Sequence, residues 1–249
     1  RTPMKRSDSK IGGAVLDNRK PNILFFISDH QAYYGHFDFP NLKFGMPYVE
    51  GLARDGIFFP NAYTVCPLCT PARSAMMSGV YPSKHGLLWN TENQRSANLS
   101  DFRAEQKLYS HYLAEVGYRN GYVGKWHCGA TRLPEDFGME GWSLPHYGKV
   151  YMSDRYKEYC REKGLGDATA LIERSVYHPE WEGAEHVLHH DSPWHFMDTS
   201  GVLKGPKEGH EENFVSHLAI EKLKEFSQSD QPFSLAVSYW GPHNAYLPT

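Results

Sequence analysis

Cys69 lies in the run Cys69-Thr70-Pro71-Ala72-Arg73, with a second thiol at Cys66 and a continuation through Ser78-Gly79-Val80-Tyr81-Pro82 to His85-Gly86. Two thiols this close can exchange electrons through a disulfide or hold half of a metal knuckle. The rest of the chain completes neither use, because Cys128 and Cys160 are far apart and form no second pair. A thioredoxin-like motif would also need its helix to start at the first cysteine, whereas Pro71 favours a start after the second. Arg73 stays protonated, so one helical turn from Cys69 it can oppose anionic charge; read alone, it is half of an ion pair.

Three more places put polar chemistry at the end of apolar or helical elements. Ile23-Leu24-Phe25-Phe26-Ile27 is a continuous apolar run that predicts a parallel strand buried on both faces, and Asp29 emerges where it ends. Ligands in open α/β sheets gather beyond the carboxyl ends of the strands, so a carboxylate there can hold a metal ion, although an isolated Asp also caps helices and forms turns. Gln106 to Val116 has Leu108, Tyr112, Leu113 and Val116 at helical spacing, and Gly117 ends it. Beyond it, Lys125 and His127 alternate along a segment expected to be extended, facing one side while Trp126 turns into the packing. A second apolar strand in the run that starts at Pro232 ends in Pro242-His243, and an imidazole titrates close enough to neutrality to donate a proton.

Together, C-x-P-x-R at Cys69–Arg73, Asp29 after its strand, Gly117 to Gly129 with Gly124-Lys125-Trp126-His127-Cys128-Gly129, and Pro242-His243 resemble the sulfatase family. The resemblance implies that a formylglycine-generating enzyme oxidises Cys69 to an aldehyde. Its hydrate offers one hydroxyl to attack sulfur and a second to expel sulfate, so one hard displacement becomes two easier ones. It further implies a divalent metal held by Asp29 and the residue at 69, with Lys125 and His243 binding the ester, His127 hydrogen-bonding the formylglycine hydroxyl, Arg73 offsetting charge and His243 protonating the leaving alcohol. The helix start near Pro71 is expected to present free N–H groups to the anion. The implied fold is an alkaline-phosphatase-like α/β sheet flanked by helices, seen as the first part of a catalytic domain.

Two departures matter. Many sulfatases have two consecutive acidic residues where this chain has Asp29-His30-Gln31, so His30 is either a replacement ligand or a neighbour. Oxygen ligands favour calcium, with magnesium next; an imidazole admits manganese or zinc. Phosphonate or phosphate ester hydrolysis is therefore the nearest alternative, and a non-catalytic anion-binding fragment is another. Family members are roughly twice this long and supply further metal ligands after the Pro-His strand, so the 249-residue chain is expected to be inactive on its own.

Composition narrows the partners. A net charge of -3 argues against nucleic acid, and no apolar stretch is long enough to span a membrane. Four irregularly spaced cysteines demand no oxidising compartment, so the expected location is cytoplasmic, or periplasmic or secreted if a signal peptide has been removed. Residues 1–20 read as a polar arm and 21–249 as the catalytic part. Within that part, 130–212 lacks sustained periodicity and is the expected substrate-selecting region. Glu185-His186-Val187-Leu188-His189-His190-Asp191 and Trp194-His195 could line a secondary metal or sugar-contacting loop, or be a plain loop. Glu211 to Ser229, with Phe214, Leu218, Ile220, Leu223 and Phe226, predicts a helix packed on the sheet. The expected substrate is a small-molecule or carbohydrate sulfate ester.

Overall fold

The computed structural model of the chain describes residues 20–31, 46–92, 99–188 and 198–249. Its main sheet runs β1 (Ile23–Ile27), β7 (Phe233–Ser238), β2 (Arg119–Gly124), β3 (Glu140–Trp142), all parallel. Every residue of β7 is buried, as a central strand covered on both faces requires. β1 departs from the expectation of full cover: exposure runs from 37% at Ile23 to 60% at Phe26, and of its five residues Ile27 alone is buried. Among the described residues it is an edge strand, and an apolar run signals a strand without saying whether anything lies over it.

Helix α6 (Glu211–Phe226) packs on β2 and β7 through Phe214, Val215, Leu218 and Phe226. Ile220, expected on this face, is 52% exposed. Helix α4 (Tyr109–Glu115) is shorter than predicted: Leu108 is buried at its entry, while Tyr112 and Val116 face solvent. Helix α1 (Pro47–Asp55), α2 (Cys69–Ser78), the single turn α3 (Pro82–His85) and α5 (Asp154–Lys163) complete the helices. None of the described helices is long and apolar enough to cross a membrane.

The region 130–212 holds more regular structure than its sequence suggested. Besides β3 and α5 it forms an antiparallel sheet, β5 (Glu185–Val187), β4 (Thr169–Ser175), β6 (Thr199–Lys204). Alternation exists there, with Ala170 and Ile172 buried on β4 and Thr199, Gly201 and Leu203 on β6, but Thr, Gly and Ala carry too little hydropathy to reveal it. His186 belongs to β5; His189, His190, Asp191, Trp194 and His195 lie outside the described residues, as do residues 1–19 of the predicted arm.

The first turn of α6 carries Glu211 and Glu212. Glu212 accepts the Gly241 N–H with one carboxyl oxygen, and the other is buried without a hydrogen-bond partner. Burial pushes both acids up, Glu211 to about 8 with help from the Glu212 charge and Glu212 to about 7. The folded chain therefore keeps protons that the unfolded chain releases near the ordinary carboxylate pKa. The resulting stability is complete below that value and lost as pH rises through 7 to 8. The urea midpoint is expected to fall between about pH 5 and about pH 8, and a Glu211→Gln/Glu212→Gln variant should lose part of that fall. An unchanged slope in the variant would contradict the assignment. Phe214, fully buried against Trp142, Tyr156 and Tyr159, anchors the same helix. Phe214→Ala should cost about 3–5 kcal/mol in the same urea experiment.

Candidate active site

Ile27 of β1 and Gly124 of β2 both register with Ser238 of β7, so three parallel strands end at one level. Asp29, Lys125 and the Gly241-Pro242-His243 turn leave the sheet side by side there, beyond the strands' carboxyl ends. Backbone hydrogen bonds tie the exits together: Lys125 N–H to the Ser238 carbonyl at 2.8 Å and Asp29 N–H to the Gly241 carbonyl at 3.0 Å. Gly124 sits at φ +105°, where a Cβ would come within 1.9 Å of the Ser238 oxygen, so this position demands glycine.

Asp29 is at the centre. Lys125 Nζ donates to Oδ2, Arg73 Nη2 lies 3.5 Å from Oδ1, and the Cys69 thiol is 4.0 Å from the same oxygen. Burial alone would raise the Asp29 carboxyl, but Lys125 and Arg73 outweigh it and hold it below the usual range. Lys125, fully buried, falls to about 8 because burial and the Arg73 charge exceed the pull of Asp29. With two cations on one carboxylate, Asp29 stays ionised while Lys125 releases its proton more readily than an exposed lysine.

Arg73 Nη1 donates to the Lys125 carbonyl at 2.9 Å and to Ser238 Oγ at 2.8 Å, linking α2 to the ends of β2 and β7. α2 begins at Cys69 itself, ahead of Pro71. The expected row of free N–H groups is thereby reduced: Pro71 has none, and Thr70 donates its own to Asn90 Oδ1 at 3.1 Å. Burial, then the Asp29 charge, pushes the Cys69 thiol up, the opposite of what a cysteine nucleophile needs. All four cysteines are free thiols.

The segment after Gly124 does not alternate. His127 adopts φ 52°, and Lys125, Trp126 and His127 are all buried. Trp126 packs against Tyr122 and Phe137 as expected, but the left-handed turn sends His127 Nε2 to Glu92 Oε2, 3.0 Å away, while Lys125 goes to Asp29. Tyr147 bridges the two: its ring centroid is 3.7 Å from Lys125 Nζ and 5.6 Å from the His127 ring. Its hydroxyl lies 3.2 Å from His243 Nδ1. That nitrogen is also 2.7 Å from the Asn244 carbonyl, which can only accept, so Nδ1 carries the hydrogen. Burial pushes the His243 imidazole down.

Ligand atoms of Asp29, Cys69 and His243 all lie within 4.8 Å of one another, a group able to hold a metal ion. His30, at φ 61°, stands outside that trio, with its ring 5.4 Å from that of His243. A carboxylate, an imidazole and an oxygen at position 69 suit a divalent cation. Arg73 Nη2 and His127 Nδ1 are buried without hydrogen-bond partners among the described residues, which leaves bonding capacity for oxygens there. Beside His243 opens a cavity of about 550 Å³ walled by Tyr147, Tyr151, Tyr246, Glu211 and Glu212. Glu92, Asn90 and Tyr147 escape sequence reasoning because each acts through a contact far along the chain; Ser238, last in an apolar strand, carries the same positional signal as Asp29.

The Sulfatase family model matches residues 21–249. The uncharacterized sulfatase YidJ of Escherichia coli strain K12 is 25% identical over 228 residues, covering 92% of this chain and 39% of that protein. The phosphonate monoester hydrolase of Agrobacterium radiobacter superposes with a TM-score of 0.61 at 19% identity, over 92% of this chain and 42% of that one. A structure solved with its substrate D-glucosamine-2-N,6-O-disulfate gives 0.54 at 17% identity, over 91% of this chain and 35% of that one. This chain thus spans less than half the length of each, and the architecture shared with the solved structures is the alkaline-phosphatase-like fold. With its motifs converging at the strand ends and the family pattern running from residue 21 to residue 249, the chain belongs to the sulfatase family.

Proposed function

We propose that this chain carries the nucleophile side of a sulfuric ester hydrolase that uses formylglycine made from Cys69 and a divalent cation, calcium first. The observation behind this reading is the meeting of Asp29, Cys69 and His243 within 4.8 Å while Lys125 and Arg73 both address Asp29. Asp29 and the oxygens at position 69 are the groups that would hold the cation, with His243 beside them as the proton donor. When bound, the cation would lower the pKa of a coordinated hydroxyl and polarise the ester oxygens. The hydrated aldehyde would supply the twin hydroxyls that an ordinary serine or cysteine lacks.

The chain's own residues set the electrostatics. Lys125 and Arg73 place positive charge where a transferring sulfuryl group gathers negative charge, in a buried setting that strengthens the attraction. His243 gives its Nδ1–H to Asn244, so it can donate from Nε2 only as the imidazolium, and an anionic ester beside it would offset the burial that pushes its pKa down. The tyrosine-walled cavity next to it would take the alcohol portion. A sulfated sugar is the substrate class favoured, supported by the structural relative that binds D-glucosamine-2-N,6-O-disulfate. A phosphonate monoester is the second reading, favoured by the similarity to the Agrobacterium enzyme and by the lone Asp29 before a His30 that stands outside the metal-competent trio.

Coexpression with a formylglycine-generating enzyme should convert Cys69 to the aldehyde, read by mass spectrometry of the peptide spanning Cys66 to Arg73. The full-length protein converted in this way should hydrolyse an aryl sulfate faster than the matched phosphonate, and Cys69→Ala should fall to background. Hydrolysis by a chain whose Cys69 remains a thiol would sink the mechanism. His243→Gln should slow esters of poor leaving groups by about 10²–10⁴-fold and those of good leaving groups far less. An equal loss across the series would remove His243 as the acid.

A further inference from the structure

We propose that Glu92 is a positioning residue that locks His127 in the tautomer whose bare Nδ1 accepts a hydrogen bond from an O–H donor entering the site, a reading that rests on the function proposed above where that donor is the hydroxyl at position 69. The hydroxyl belongs to the function proposed above; the tautomer follows from the chain's own geometry. His127 Nε2 lies 3.0 Å from Glu92 Oε2. Burial would raise the Glu92 carboxyl, but the bond from His127 and a backbone N–H hold it down at about 2. An ordinary carboxylate is ionised near neutrality, and this one already accepts a backbone N–H on Oε1, so on Oε2 it can only accept and Nε2 must bring the proton. Burial, with the charges of Lys125 and Arg73, pushes the His127 imidazole down, and a neutral ring with its proton on Nε2 has a lone pair on Nδ1.

Nδ1 is buried and has no hydrogen-bond partner among the described residues. A histidine that served only as a packed ion-pair partner would be expected to have this nitrogen satisfied, because an unmet buried acceptor costs free energy. Its missing partner must be a donor. An O–H fits, whereas a sulfate oxygen, itself an acceptor, would be repelled.

Glu92 also reaches the other half of the site. Its Oε1 accepts the Tyr147 N–H at 2.5 Å, and Tyr147 lies against Lys125 and within 3.2 Å of His243 Nδ1. One carboxylate thus orients His127 directly and, through the tyrosine backbone, steadies the ring that separates it from His243.

Proton–nitrogen NMR of the chain labelled at histidine nitrogens tests this, with His127→Gln identifying the signals. Wild-type His127 should be the neutral Nε2–H tautomer. In Glu92→Gln the amide can donate to Nε2, so the proton should move to Nδ1, and kcat of the converted full-length protein should drop about 10- to 100-fold with KM little changed. Glu92→Asp should keep the tautomer and recover part of the rate. An Nδ1–H or imidazolium form in the wild type, a Glu92→Gln variant still protonated at Nε2, or a tautomer switch that leaves kcat unchanged would each overturn the proposal. The spectra are read on the thiol form, so absence of sulfate hydrolysis by the converted full-length protein, with the expected tautomers in place, would count against the function reading and leave the lock standing.

Discussion

A carboxylate withdrawn from water and shared by two cations organises this molecule. Taking a charge out of water costs several kcal/mol, and the geometry must return it. Asp29 achieves this with Lys125 on one oxygen and Arg73 near the other, and each cation is fixed from behind. Arg73 is held by the Lys125 carbonyl and by Ser238, and that carbonyl also accepts the Tyr122 hydroxyl at 2.6 Å. The charges cannot relax apart without unpicking the ends of β2 and β7. A site built this way is rigid before any substrate arrives, which is what electrostatic preorganisation asks of it.

The sheet makes the cluster possible. Parallel strands that end in register deliver successive residues to one rim, so Asp29, Lys125 and His243, separated by more than two hundred positions from first to last, need no long loops to meet. α2 approaches the same rim and brings Cys69 and Arg73 one turn apart on the helix. The second sheet, β5-β4-β6, is tied to the segment after His243 by backbone hydrogen bonds that link Tyr246 with Thr199 and Gly201 of β6, and Pro248 with Leu203 of the same strand.

How much of this could be read from the residues follows from where the information sits. The strands at Ile23 and Phe233 and the polar groups that follow them are local facts, visible as apolar runs with a charged or imidazole end. The exposure of β1 is not local, since Leu24 and Phe26 look the same in a central strand and at an edge. The destination of His127 was invisible too: a left-handed backbone angle at a histidine carries no sequence mark, and Glu92 lies 35 residues away. Short strands rich in Thr, Gly and Ala, as in β4 and β6, hide their alternation because the small residues that fit inside contrast weakly with the polar ones outside.

Gly124 makes the tolerance of this arrangement concrete. The Ser238 oxygen occupies the space where any side chain would begin, 1.9 Å from the Cβ position, and the next residue donates its N–H to that same oxygen. A single methyl group would act as a wedge between the two strands, displacing the carbonyl that steers Lys125 and the serine that steadies Arg73. The missing atom at residue 124 is thus what lets two backbones close on each other and hold a lysine and an arginine to one carboxylate.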